Sequence, residues 1–268
     1  MFIEVNGLKL HVEVTGEGEP LLLLHGFTGS VRNWDRFVPG WSQRRKVIAV
    51  DLIGHGESDA PDDPDRYTME HAADDLSALL DALDLESAAV LGYSMGGRVA
   101  LSLAVMRPER VSALLLESSS PGLAGAEERK ARVAADEALA ARIEKEGVAS
   151  FVRYWENIPL FQTMQAMPLD VRERIREQRL QNRAQGLAHS LRGMGTGRQP
   201  SWWDALPRLT MPVLMTAGEL DEKFIGIARR MEPLIPDCRF VPVRGAGHLV
   251  HVEQAETFDK IVSEFLFT

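Results

Sequence analysis

Ser94, in Gly92-Tyr93-Ser94-Met95-Gly96-Gly97, lies between an apolar run that reads as a buried strand (Ala88 to Leu91) and one that continues as a helix (Val99 to Ala104). A serine there sits on a tight strand-to-helix turn. The turn forces an unfavourable backbone conformation on it, and the residues two before and two after must be small, which Gly92 and Gly96 satisfy. The hydroxyl is left beside a helix N-terminus, where the Met95 N–H and the helix dipole favour developing negative charge. Such a hydroxyl becomes reactive when a base takes its proton and an acid orients that base. His248, in the turn Gly245-Ala246-Gly247-His248, can be the base, and Asp221 can fix its tautomer and stabilise the imidazolium. Glu219 is the competing acid, but it lies nearer the preceding strand. A second backbone donor for an oxyanion is Phe27 N–H, in the glycine-flanked turn His25-Gly26-Phe27-Thr28-Gly29.

These residues are far apart in the chain, so the fold has to gather them. Phe2 to Val14 alternates apolar and polar residues around Asn6-Gly7, a hairpin of half-exposed strands. Leu21 to Leu24, Lys46 to Asp51, Ala88 to Leu91 and Val111 to Leu116 are continuous apolar runs of the kind found in sheets covered on both faces. Between them, Thr68 to Leu85 carries apolar residues at helical spacing. The alternation predicts an α/β fold with a mostly parallel, doubly wound sheet. From Pro121 to about Leu206 it stops. Ala124 to Glu146, Val148 to Trp155 and Leu169 to Asn182 read as helices, and the β-α pattern resumes at Pro212 to Ala217. The expected organisation is therefore a core of residues 1–120 and 207–268 with a helical cap, 121–206, inserted in it. Ser94, Asp221 and His248 each follow a strand, and strand ends of a parallel sheet share one ligand-binding edge.

Composition narrows the function classes. The 268 residues are 45% hydrophobic, enough for one large core, and the net charge of −9 argues against nucleic acid or an anionic membrane as main partner. No apolar run approaches bilayer length and the N-terminus lacks a signal-peptide pattern. The single cysteine, Cys238, excludes an internal disulfide framework, and the expected setting is cytoplasmic. No metal-ligand spacing or dinucleotide fingerprint is present, so no metal and no cofactor are expected, and no obligate protein partner is evident.

Arg98 lies four residues after Ser94, on nearly the same helix face among apolar neighbours, and a buried guanidinium there needs an anion. That anion is either a ligand carboxylate or a structural partner, Glu117 or Asp51.

His25-Gly26, Gly54-His55-Gly56-Glu57-Ser58, Gly92 to Gly97, Gly218-Glu219-Leu220-Asp221 and Gly247-His248 together resemble the α/β-hydrolase fold family across nearly the whole chain. Those motifs alone do not choose a reaction. Tyr93 to Arg98, Glu117 to Leu123 with Glu128, Arg129 and Arg132, Trp155 to Phe161, Gly186 to Gly197 and Asp221 to Phe224 resemble, more narrowly, the 2-succinyl-6-hydroxy-2,4-cyclohexadiene-1-carboxylate synthases of menaquinone biosynthesis. The resemblance implies a lyase acting on a small polycarboxylate, with proton abstraction and loss of pyruvate and no water consumed. It implies Ser94 as base, and Arg132 and Arg179 as carboxylate-binding positions. Trp155 and Phe161 fit as apolar walls, although Phe161 is equally explained as cap core. Tyr93 and Lys223 border the site by sequence. The alternatives are a carbon–carbon or ester hydrolase with Ser94 as nucleophile, and a binding protein of the same fold without chemistry.

Overall fold

In the computed structural model of the chain, residues 1–267 are described. Five apolar runs form adjacent parallel strands because helices cover both of their faces. In β3 (Pro20–Leu24) and β4 (Lys46–Val50), Leu22, Leu24, Ile48 and Val50 lie on the sheet face that α2 (Met69–Ala82), α3 (Met95–Met106) and, farther along, α7 (Glu222–Met231) cover. The alternate residues Leu21, Leu23, Val47 and Ala49 pack toward α1 (Val38–Trp41) and α9 (Ala255–Leu266). The hairpin of β1 (Phe2–Val5) and β2 (Leu8–Thr15) turns through Asn6 and Gly7, at φ 49° and 74°, and joins β4 antiparallel. With β5 (Ala88–Tyr93), β6 (Val111–Glu117), β7 (Val213–Gly218) and β8 (Cys238–Val243), the sheet has eight strands in the order β1-β2-β4-β3-β5-β6-β7-β8, parallel from β4 onward. The loops after β3, β5, β7 and β8 therefore open on one edge, and they carry Phe27, Ser94, Asp221 and His248.

Between β6 and β7 lie α4 (Ala126–Trp155), α5 (Leu169–Leu180) and α6 (Ala184–Met194). α4 is two helices merged at Gly147, whose φ of 78° is not helical, so the break expected between Glu146 and Val148 is present. No helix is expected from sequence at Ala184–Met194, because Gly186 and Gly193 weaken a helix by roughly 1 kcal/mol each relative to alanine. Packing overrides that preference. A Cβ on Gly186 would stand 2.1 Å from the Gly54 carbonyl oxygen, so glycine is what lets α6 approach the turn after β4. Leu187, Ala188 and Leu191 of α6 then close a small separate core with Ala140, Ile143, Phe151 and Val152 of α4. Among the described residues no helix is long and apolar enough to cross a membrane. Residue 268, the end of the segment assigned to the second part of the core, lies outside the described residues.

Candidate active site

Ser94 adopts φ 50° and ψ −106° at the junction of β5 and α3, the strained conformation that its turn demands. The strain persists because strand and helix are pressed together. A Cβ on Gly92 would meet the Gly96 carbonyl oxygen at 2.3 Å, and one on Gly96 would meet the Leu24 carbonyl oxygen at 2.2 Å. Backbone has to move to admit either. Gly96→Ala is expected to cost about 3 kcal/mol or more, lowering Tm by roughly 6–12 °C for a chain of this size. A thermal melt within 2 °C of wild type would show that the elbow yields more easily than its packing implies.

The Ser94 hydroxyl is 2.9 Å from His248 Nε2, and His248 Nδ1 is 2.7 Å from Asp221 Oδ2. Nδ1–H donates to the Asp221 carboxylate, which leaves Nε2 free to accept the serine proton. Asp221 is itself fixed as the N-cap of α7, its Oδ1 accepting the Phe224 N–H at 3.4 Å. Glu219 is exposed and makes no bond to His248. The His248 loop is held by Glu253, whose carboxylate accepts the Gly247 and Leu249 N–H groups at 2.8 and 3.2 Å. Those two bonds bracket the histidine, and an acid one turn into the following helix was the signal by which sequence could have found it.

Ser94 and His248 open on a cavity of about 370 Å³. Phe27 and Met95 also line it, and among the described residues neither backbone N–H has a hydrogen-bond partner. The loop bearing Phe27 is fixed from behind by buried His25, whose Nδ1–H donates to Gly26 O at 2.8 Å while Nε2 accepts the Leu52 N–H at 3.0 Å. Burial lowers the His25 pKa, so this bridging neutral tautomer is maintained. His55 has the structural place expected of it. It is buried, Nδ1 bonds the Ile53 carbonyl at 3.0 Å, and burial next to His25 lowers its pKa to about 3.

Arg98, Arg132 and Lys223 line the same cavity, with Arg230 at its margin stacked 4.4 Å from the Trp203 ring. Arg98 donates to Met194 O at 2.7 Å and Gln199 Oε1 at 3.1 Å, both uncharged. Neither structural partner weighed for it is available: Glu117 bonds His251, and Asp51 bonds His11 and the backbone around it. Burial, with Arg132 close by, lowers the Arg98 pKa to about 9. Arg132 is held by Asp136, Nε to Oδ1 at 2.8 Å, and burial together with Arg132 lowers the pKa of Lys223. Against these cations the lining offers one carboxylate, Glu128. Trp155 also lines the cavity, and its indole N–H is buried without a partner among the described residues. Gln199, which orients Arg98, and Arg230 carry no local sequence signal that marks them.

Tyr93, Phe161 and Arg179 are placed differently. They line a separate cleft of about 50 Å³ rather than the cavity containing Ser94. The Arg179 guanidinium lies 4.8 Å from the Phe161 ring centroid, and Phe161 packs edge-on against Trp155 and His248 at 5.6 and 5.9 Å. Phe161 is thus a layer behind the cavity wall, and Arg179, stacked on it, lines the neighbouring cleft. Tyr93 is buried between His248 and His251, with ring centroids 5.4 and 4.7 Å away.

A serine on a strained elbow, with a histidine and an acid on successive strand ends, defines a class. The chain belongs to the α/β-hydrolase fold family, whose description matches residues 19–255. It is 48% identical over 248 residues to the “Putative 2-succinyl-6-hydroxy-2,4-cyclohexadiene-1-carboxylate synthase” of Bacillus subtilis (strain 168), covering 92% of this chain and 90% of that one. It is similar to the solved structure of MenH from S. aureus, with a TM-score of 0.91 and 35% identity over 96% of this chain and 97% of that one. It is also similar to a malate-bound thermophilic esterase from Thermogutta terrifontis, with a TM-score of 0.84 and 31% identity over 99% and 96% of the two chains.

Proposed function

We propose that the protein is a 2-succinyl-6-hydroxy-2,4-cyclohexadiene-1-carboxylate synthase of menaquinone biosynthesis, a cytoplasmic lyase rather than a hydrolase. The observation that carries this reading is the excess of cation around the serine. Arg98, Arg132 and Lys223 share the cavity with Ser94, and the Arg98 charge has no carboxylate partner of its own. A substrate bearing several carboxylates supplies the missing anions. The near full-length similarity to the Bacillus subtilis relative supports the same choice.

In this reading His248 withdraws the Ser94 proton, and the serine oxygen removes a proton from the ring of 2-succinyl-5-enolpyruvyl-6-hydroxy-3-cyclohexene-1-carboxylate. The electron pair of the broken C–H bond becomes an enolate-like charge, which the Phe27 and Met95 N–H groups stabilise. That pair then forms the C2=C3 ring double bond, the existing C3=C4 pair moves to C4=C5, and the C5–O bond to the enolpyruvyl group breaks, releasing the enolate of pyruvate, which takes up one proton on carbon. Atoms balance without water, and no acyl-enzyme forms. Residues 121–206 act as the cap, contributing Arg132 and Trp155 to the cavity, with Phe161 and Arg179 behind them as a supporting layer.

The similarity to an esterase keeps Ser94 as a true nucleophile in view as a second reading. Pyruvate release from the enolpyruvyl precursor, followed with a coupled dehydrogenase, separates the two. Release well above the spontaneous rate is the expected result. Hydrolysis of simple esters with no enzyme-dependent pyruvate would sink the lyase reading.

A further inference from the structure

The structure contains a second buried acid–imidazole pair behind the first, and the reaction above makes no use of it. Glu117, at the end of β6, is fully buried, and its carboxylate accepts the His251 backbone N–H at 3.0 Å. Both oxygens also lie within bonding distance of His251 Nδ1, at 2.8 and 2.9 Å. The protonation of His251 follows from its other neighbour. Asn33 Oδ1 accepts from Ser30 N–H at 3.0 Å and from Gln178 Nε2 at 2.8 Å, so the Asn33 amide presents its NH₂ to His251 Nε2, 3.4 Å away. Nε2 therefore accepts, and Nδ1–H donates to the Glu117 carboxylate. A buried acid–imidazole pair of this kind costs stability relative to an apolar pair.

Its position gives that cost a purpose. The Glu117 carbonyl oxygen accepts the Ser94 N–H at 2.8 Å, so this residue's backbone holds the nucleophile elbow. Its side chain holds His251 in α8 (Val250–Glu253), three residues beyond His248. The Tyr93 ring fills the space between the two imidazoles. Glu253 fixes the His248 loop to its own helix, but among the described bonds it does not tie that helix to the elbow. Glu117 does.

We propose that Glu117, through His251, is a positioning residue that sets the His248 imidazole against the Ser94 hydroxyl. It concerns how Ser94 is activated, so it rests on the serine–histidine couple of the reading above but not on the choice of substrate. Glutamine at 117 retains one acceptor but sets an NH₂ group against the His251 Nδ1–H. Leucine at 251 removes the link, while asparagine at 251 keeps a donor near the place of Nδ1.

The test compares Glu117→Gln, His251→Leu and His251→Asn with wild type by thermal melt, by kcat and KM for pyruvate release, and by the rate of Ser94 sulfonylation by phenylmethylsulfonyl fluoride. Sulfonylation needs His248 to take the serine proton but needs none of the cationic residues. In Glu117→Gln and His251→Leu, kcat and the sulfonylation rate are expected to fall together by about 10- to 100-fold, the scale of a misplaced reacting group. KM should stay within about threefold of wild type, and His251→Asn should recover to within about fivefold. Folded variants that are sulfonylated at the wild-type rate would overturn the proposal, because a merely structural pair moves the melt and not the reaction. A wild type that resists sulfonylation would overturn it too, since His248 would then not activate Ser94. Loss of sulfonylation in the variants with no pyruvate from any form supports the positioning role and removes the lyase reading alone.

Discussion

Ser94→Ala is expected to lower enzyme-dependent pyruvate release by about 10²- to 10⁴-fold, the range over which a positioned proton-transfer group contributes. Among the described residues the Ser94 hydroxyl is the group bonded to His248 Nε2, at 2.9 Å, so the variant leaves the imidazole without its relay to substrate. Binding should survive. The cations that face the cavity are untouched, and the dissociation constant of the polycarboxylate product should change by less than about threefold, as for a group used in the transition state. Rate and binding measured together also separate a lyase from a protein that merely captures the ligand. A variant that keeps a tenth or more of the rate, roughly 1.4 kcal/mol of barrier, would show that His248 removes the ring proton directly.

Arg98→Ala is expected to lower kcat/KM by roughly 10²- to 10³-fold, about 2.7–4 kcal/mol, within the range for truncating one member of a buried, hydrogen-bonded charge pair. Most of the loss should appear in KM if the guanidinium binds a carboxylate remote from the reacting bond, and in kcat if it binds one that gains charge during elimination. The pH dependence gives an independent check. Arg98 is cationic below a pKa of about 9 and neutral above it, while a ligand carboxylate stays ionised throughout, so product affinity should weaken as pH rises through about 9. Ligand-free stability should move the other way. The folded-state pKa lies below that of an unfolded arginine, so the unfolded chain binds more protons between the two values and stability rises with pH there. Affinity that stays level from pH 8 to 10, spanning the value of about 9, would mean that the guanidinium keeps its proton across that range.

The comparison of Arg98 with Arg179 shows where sequence reasoning stops. Ser94, Asp221 and His248 were legible because each chemistry-bearing residue follows a strand or elbow with its own local signature: continuous apolar runs, small residues at close approaches, and an order along the chain that one sheet edge can satisfy. The same local logic placed α2 and the break at Gly147, and it named Arg98 because one helix turn sets its distance from Ser94. It had no means to separate Arg132, which faces the cavity, from Arg179, which stacks on Phe161 one layer behind it, because both are arginines on cap helices. Their difference arises from how α4 and α5 pack on the core. Glu117 was visible as one candidate partner for Arg98 and as part of a family-like stretch, and its pairing with His251 joins residues 134 positions apart. Apart from α6, which packing against the turn after β4 decided, secondary structure and elbow chemistry depend on neighbours a few residues away, so sequence by itself determined them. Which cations meet the ligand, and which buried acid anchors the histidine, depend on contacts across the chain, and those only the tertiary structure decided.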